Sequence, residues 1–219
     1  MNNRWFILGL LFITRISLGF QFQTMGSVSN KVIYELALNY AEIGTLIGLF
    51  MLPGLFLAIP AGLAGNFFSD KALIGFGLIA LSLGGTIAGL SQGFGFLSVG
   101  RVICGIGFVV STIFFAKVLI DWFEGKELAT AMSVLVMSWP FGIAMGQVGH
   151  GWLSASLDWR WAFYIASLYC TLSAALMILL YRGPVKELRE NGSVKFSLNK
   201  SELLLTLTAS LAWGFFNAG

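Results

Sequence analysis

Six apolar stretches, each close to the length of a bilayer-crossing helix, follow one another with only short polar connections, and a seventh begins before the last residue. The hydrocarbon core of a membrane is ~30 Å thick and an α-helix rises ~1.5 Å per residue, so about 20 mostly apolar residues make one crossing. Windows of that kind run from Trp5 to Met25, Ile43 to Ala64, Ala72 to Leu90, Phe94 to Ile120, Leu128 to Trp152 and Trp161 to Tyr181, with Leu203 to Gly219 incomplete. Hydrophobic residues make up 57% of the chain and charged residues 11%. Soluble domains carry about a quarter charged residues, so the expected class is a polytopic, all-α membrane protein. The first stretch is expected to stay in the mature chain rather than act as a cleaved leader, because it is long, Arg15 stands in its middle and no small-residue cleavage site follows.

The formal charge of +3 is informative only through its distribution. Lys and Arg collect on the cytoplasmic side of short loops. With the N-terminus inside, Arg4, Lys71, Lys117, Lys126, Arg182, Lys186, Arg189, Lys195 and Lys200 fall in inside segments, and only Lys31 and Arg160 in outside loops. The expectation is a multi-pass protein of the cytoplasmic (inner) membrane with a cytoplasmic N-terminus. Topology accounts for the basicity, so nucleic-acid binding is not expected.

Nothing in the sequence points to catalysis or a cofactor. Cys104 and Cys170 lie inside spans and read as small packing residues. Zinc spacings, a nucleophile elbow and a phosphate loop are absent from the sequence, and Gly105-Ile106-Gly107 and Gly75-Phe76-Gly77 sit in apolar helices without a preceding strand. Neither an enzyme nor a metal centre is expected.

The longest polar stretch, Gly183 to Ser201, contains Gly183-Pro184 and Asn191-Gly192 and marks a boundary. The expected order is a six-helix unit (1–182), a cytoplasmic linker (183–202) and the start of a seventh helix (203–219). Ser27 to Leu38 reads as the longest outside loop. Trp5, Trp122, Tyr34, Tyr40, Trp152, Trp159 and Trp161 read as interfacial anchors, and Trp139 and Trp213 as packing residues within spans. Gly142, Gly146 and Gly149 share one face of the fifth span, where small residues let backbones approach. Pro140 predicts a kink there.

Several passages together resemble the major facilitator superfamily. Pro60-Ala61-Gly62-Leu63-Ala64-Gly65-Asn66-Phe67-Phe68-Ser69-Asp70-Lys71, between the second and third spans, is similar to that family's cytoplasmic loop G-x-x-x-D-R-x-G-R-K. Here Asn66 and Phe67 replace the acid and the arginine, while Asp70 and Lys71 keep charge at the end. Arg101-Val102-Ile103-Cys104-Gly105-Ile106-Gly107 is similar to R-x-x-x-G-x-G, and Trp139 to Gly149 to the Gly- and Pro-rich fifth helix. Asp158-Trp159-Arg160-Trp161-Ala162-Phe163 resembles the usual entry to the sixth. The resemblance implies two inverted three-helix repeats per six-helix half, the amino-terminal half here, with solute sites near the midplane. Gly62, Asn66, Asp70, Lys71, Gly105, Pro140, Gly142 and Gly146 are then conformational positions.

On that scheme the first span corresponds to the fourth, and each carries a deep arginine, Arg15 and Arg101. A charged residue at the bilayer centre costs ~2.5–3.5 kcal/mol on insertion scales, so it faces a cavity or a partner. Either could attract an anionic solute. Arg101 reads equally as a tie between helices. Thr14, Ser17, Gln21 and Thr24 form one polar stripe, from which Arg15 projects ~100° away, and Thr112 shares a stripe with Arg101; Thr14, Ser17, Gln21 and Thr112 join the two arginines as candidate solute-binding residues. Glu42 reads as part of a helix cap with Asn39, His150 as an interfacial polar residue, and Lys117 and Asp121 as a local pair.

The functional expectation is transport of a small solute, an anion by preference, through alternating access. The alternatives are a receptor or assembly subunit on a transporter scaffold, or a nonfunctional half. Expected partners are the small-molecule solute, the lipid bilayer and a missing C-terminal half or second chain.

Overall fold

The computed structural model describes residues 3–123, 125–183, 201, 204 and 208. The expected linker and seventh stretch, with Lys186, Arg189, Lys195, Lys200 and Trp213, lie almost wholly outside them. Two compact units divide the chain, Met1–Pro184 and Val185–Gly219, and the first holds every helix discussed here.

Among the described residues seven helical segments make six crossings: α1 (Arg4–Leu36), α2 (Tyr40–Met51), α3 (Pro53–Ala64), α4 (Asp70–Gly89), α5 (Phe94–Trp122), α6 (Gly125–Ser156) and α7 (Arg160–Leu180). No strand occurs among the described residues. The second crossing, Tyr40–Ala64, is a helix interrupted at Leu52. Leu52 keeps helical dihedrals of −54° and −43°, but Pro53 has no N–H to continue the ladder. The α2 start carries the expected capping box, with Asn39 accepting from Glu42 N–H and Glu42 accepting from Asn39 N–H.

The expected outside loop from Ser27 to Leu38 is instead helix as far as Leu36. At ~1.5 Å per residue the 33 residues of α1 reach ~50 Å, well beyond the hydrocarbon. Polar residues suggested a loop, yet Val28 and Val32 keep the helical spacing and bury themselves against Trp159, Ala162 and Phe163. Lys31 donates to the Ser154 carbonyl, and Glu35 accepts from Trp159 Nε1 at 2.7 Å and Arg160 Nη1 at 2.6 Å. The chain then turns at Ala37, which is left-handed (φ 51°). Trp159, expected as a surface anchor, is therefore a buried core residue, whereas Tyr34, Tyr40, Trp152 and Trp161 are exposed.

The first three crossings (α1, α2–α3, α4) and the last three (α5, α6, α7) pack as an exchange-symmetric set. Helix α1 lies on α6 and α7, while α5 lies on α2–α3 and α4; α4 lies on α7. Swapping first for fourth, second for fifth and third for sixth reproduces the set. Trp5 meets Phe123 edge-on at 5.5 Å, which brings the start of α1 to the end of α5 and sets the two antiparallel.

Candidate functional site

The exchange holds residue by residue around the two arginines. Arg15 is followed after four residues by Gly19 and after seven by Phe22; Arg101 is followed at the same intervals by Gly105 and Phe108. On the partner helices, Leu135 is followed by Trp139 and Gly142, and Leu46 by Phe50 and Pro53, again at four and seven. The contacts match this register. Arg15 Nη1 donates to the Leu135 carbonyl at 2.5 Å, and Arg101 Nε to the Leu46 carbonyl at 3.1 Å. A Cβ added to Gly19 would lie 2.4 Å from the Trp139 carbonyl oxygen, and one added to Gly105 2.3 Å from that of Phe50. Both glycines are required by close backbone approach.

The four aromatic residues of these two Arg-centred repeats meet in a closed ring. Phe22 is 5.2 Å from Phe50 and Phe50 5.4 Å from Phe108; Phe108 is 4.8 Å from Trp139 and Trp139 5.3 Å from Phe22, between ring centroids. Each ring comes from a different crossing: α1, α2, α5 and α6. Exchange maps Phe22 onto Phe108 and Phe50 onto Trp139, so the pseudo-two-fold axis passes through the ring. Seven residues of helix span ~10 Å. Because α1 and α5 are antiparallel, Arg15 and Arg101 therefore stand on opposite sides of it.

Equivalent in position, the arginines differ in surroundings. Arg101 is fully buried. Its Nη1 and Nη2 donate to the carbonyls of Gln21 at 3.5 Å and Phe22 at 3.3 Å, so all three nitrogens are engaged. Its guanidinium carbon lies 4.6 Å from the Phe50 centroid and 5.9 Å from that of Phe22. Arg15 is partly exposed. Both its described bonds leave Nη1, the second going to Ser138 Oγ at 3.1 Å, and its buried Nε has no partner among the described residues. Ser138 also donates to the Leu135 carbonyl, at 2.5 Å. These donors gather one residue before Val136, whose carbonyl loses its helical partner to Pro140.

The polar stripe of α1 is elsewhere. Thr14, Ser17, Gln21 and Thr24 are fully buried. Thr14 Oγ1 donates to the Leu10 carbonyl at 2.7 Å, Ser17 Oγ to that of Thr14 at 2.6 Å, and Gln21 Nε2 to Cys104 Sγ at 3.6 Å. Cys170 on α7 also points at the Ser17 carbonyl. The stripe thus packs toward α5 and α7, away from Arg15. Thr112 is partly exposed, with its buried Oγ1 unpartnered among the described residues.

The family model described as Major Facilitator Superfamily matches residues 7–219. The chain belongs to this family. Among curated relatives, the "Probable sphingolipid transporter spinster homolog 1" of Arabidopsis thaliana is 35% identical over 139 residues, covering 61% of this chain and 27% of that one. The "Probable galactarate/D-glucarate transporter GarP" of Escherichia coli (strain K12) is 24% identical over 210 residues, covering 89% and 47%. Among solved structures, a bacterial homolog of the human lysosomal transporter Spinster, inward-facing and occupied, aligns with TM-score 0.70 at 20% identity, covering 85% of this chain and 46% of that one. The chain spans about half the length of these superfamily members, or less.

The superfamily loop before α4 uses its remaining charge locally. Asp70 opens α4 behind the Ser69 cap and pairs with Lys117 of α5, which also lies 3.9 Å from Asp121. Lys117 thus has a cross-helix partner in addition to the expected neighbour. Gly62 and Asn66 are exposed and Lys71 is half-buried. On α6, a Cβ on Gly142 would meet the Ile16 carbonyl at 2.3 Å and one on Gly146 the Gln23 side chain at 2.9 Å, while Pro140 is exposed. His150, expected at the interface, is fully buried, its Nε2 3.1 Å from the Phe20 carbonyl and its ring 4.2 Å from the Phe20 ring.

Sequence reading missed Phe22, Phe50 and Phe108 as a group and treated Trp139 as packing. The signal was present as a repeated Arg-x-x-x-Gly-x-x-Phe in the first and fourth spans. Hydrophobicity conceals it, because phenylalanine in an apolar helix carries no contrast.

Proposed function

We propose that this chain forms one half of a carrier that moves a small anion across the cytoplasmic membrane by alternating access, N-terminus inside, with Arg15 as the anion-binding cation. The observation that carries this is the unequal engagement of two equivalent guanidiniums: Arg101 is enclosed by three carbonyls and an aromatic face, while Arg15 keeps donors and exposure at membrane depth. A guanidinium presents five donors in a fork that matches carboxylate geometry. A relative named for galactarate and D-glucarate, both carboxylates, supports the same charge class. The acidic side chains Glu35, Glu42, Asp70, Asp121, Glu127 and Asp158 all stand at helix ends or in loops, so no carboxylate among the described residues invites a cation into the middle of the unit.

Rocking about a central site needs a second six-helix unit, supplied by continuing chain or a second chain. The exposed α2–α3 face of Gly44, Gly48, Leu52, Leu55, Phe56 and Ile59 is suited to it. Uptake into proteoliposomes tests the reading, with D-glucarate and benzoate as anionic probes and choline as the cationic one. Native protein is expected to take up an anion saturably and exclude choline. Arg15→Gln should lower anion uptake at least tenfold at unchanged helix content. Uptake indifferent to charge or to this substitution would end the anion assignment.

A further inference from the structure

The aromatic ring on the pseudo-two-fold axis narrows the solute further. Phe50 is wholly buried beneath Arg101, but Phe22, Phe108 and Trp139 are only partly buried. Arg101 lies over Phe50 and Phe22, 4.6 and 5.9 Å from their centroids, so the Phe108–Trp139 edge, with centroids 4.8 Å apart, is the partly buried edge that this cation does not cover. Trp139 follows Ser138 in α6, and Ser138 is a hydrogen-bond partner of Arg15. Arg15 of α1 is thus held by Leu135 and Ser138 on the same short stretch of α6 that carries Trp139, whose ring meets Phe108 of α5, and it stands on the side of the ring away from Arg101.

Three physical effects act on a solute at that place. Aromatic faces carry a negative quadrupole, so a bare inorganic anion gains nothing by touching them, whereas an apolar body packs against them. The same faces attract cations, but Arg101 already occupies Phe50 and Phe22 from the far side, and two guanidiniums repel a third positive charge. Ligand sites in general combine apolar walls with a few placed polar groups, and here the walls are aromatic and the placed group is a guanidinium.

We propose that the Phe108–Trp139 edge is the floor of the solute site, and that the site takes organic anions with a flat apolar body, such as aromatic or unsaturated carboxylates. The carboxylate engages Arg15 and the body lies on the rings. This rests on the anion reading above and adds the class of the body. Inorganic oxyanions are poor ligands on this account, because they satisfy Arg15 alone.

Isothermal titration of the purified full chain in lipid nanodiscs tests it, with benzoate, cyclohexanecarboxylate and sulfate as probes. The expected order is benzoate, then cyclohexanecarboxylate, then sulfate, with benzoate at least tenfold tighter than sulfate. Trp139→Leu and Phe108→Leu should bring benzoate to within threefold of sulfate while sulfate affinity stays native, and Trp139→Phe should keep the preference. Equal benzoate and sulfate affinities in the native chain, both lost in Arg15→Gln, would overturn the aromatic floor and leave the anion reading standing. Binding that survives Arg15→Gln, or no anion binding at all, would overturn both. The native comparison decides between floor and no floor even where a leucine variant fails to fold.

Discussion

The surroundings of Arg15 and Arg101 are two copies of one packing unit: an arginine on a partner-helix carbonyl, a glycine one turn on against that helix, and an aromatic pair beyond. In the Arg101 copy the guanidinium is consumed by structure, donating to carbonyls of α1 and α2 and resting on Phe50. In the Arg15 copy the bonds go to α6 alone and part of the fork stays available. Inverted repeats thus supply two equivalent cations, and their unequal enclosure is the ground for proposing that one holds helices together and the other binds solute. The comparison teaches that the presence of an arginine within a span does not fix its role, since burial and carbonyl engagement differ between equivalent positions.

The largest expected effect is at Arg101. Arg101→Gln removes charge-assisted bonds worth ~1.5–3 kcal/mol each in soluble proteins, and less in lipid, together with the ring contact. A net loss of about 3 kcal/mol should appear as a lowered unfolding midpoint in detergent. Arg15→Gln should change the same midpoint by less than about 1 kcal/mol equivalent, because its two bonds leave one nitrogen; equal losses would erase the distinction between the copies.

Next come the glycines. Gly19→Ala and Gly105→Ala each force a methyl against a carbonyl, an overpacking cost of ~1–3 kcal/mol, and the two midpoints should fall together. A tolerated alanine at one position only would break the packing equivalence. The smallest effect is expected away from the axis, at the clamp of Glu35 with Arg160 and Trp159. Glu35→Gln loses a partly exposed ion pair, worth ~0.2–1 kcal/mol, and the difference from native should shrink further in high salt. A loss rivalling that of Arg101→Gln would move the main helix tie to this end of the bundle.

Much of the fold is legible along the chain. Hydropathy windows locate all six crossings, and the Asn39–Glu42 cap is local enough to be read from spacing. The α1 extension was not legible, since Ser27, Ser29, Asn30 and Lys31 look like a loop until Trp159 and Arg160 arrive from beyond α6 to pair with Glu35. The turn of Arg15 away from the Thr14 stripe was readable from helical geometry. The burial of that stripe against α5 and α7 was not, because it depends on which helices sit beside α1.

By itself the sequence determined the membrane class, the six crossings, the two deep arginines and the small residues that let helices touch. Each follows from properties summed over one helix, where rise per residue and the cost of leaving water act locally. The tertiary structure decided the rest: Arg15 meets Leu135 across 120 positions of chain, and Arg101 meets Leu46 across 55. Partners that distant are chosen by packing, and packing alone settled which guanidinium is enclosed and that four scattered aromatics close into one ring.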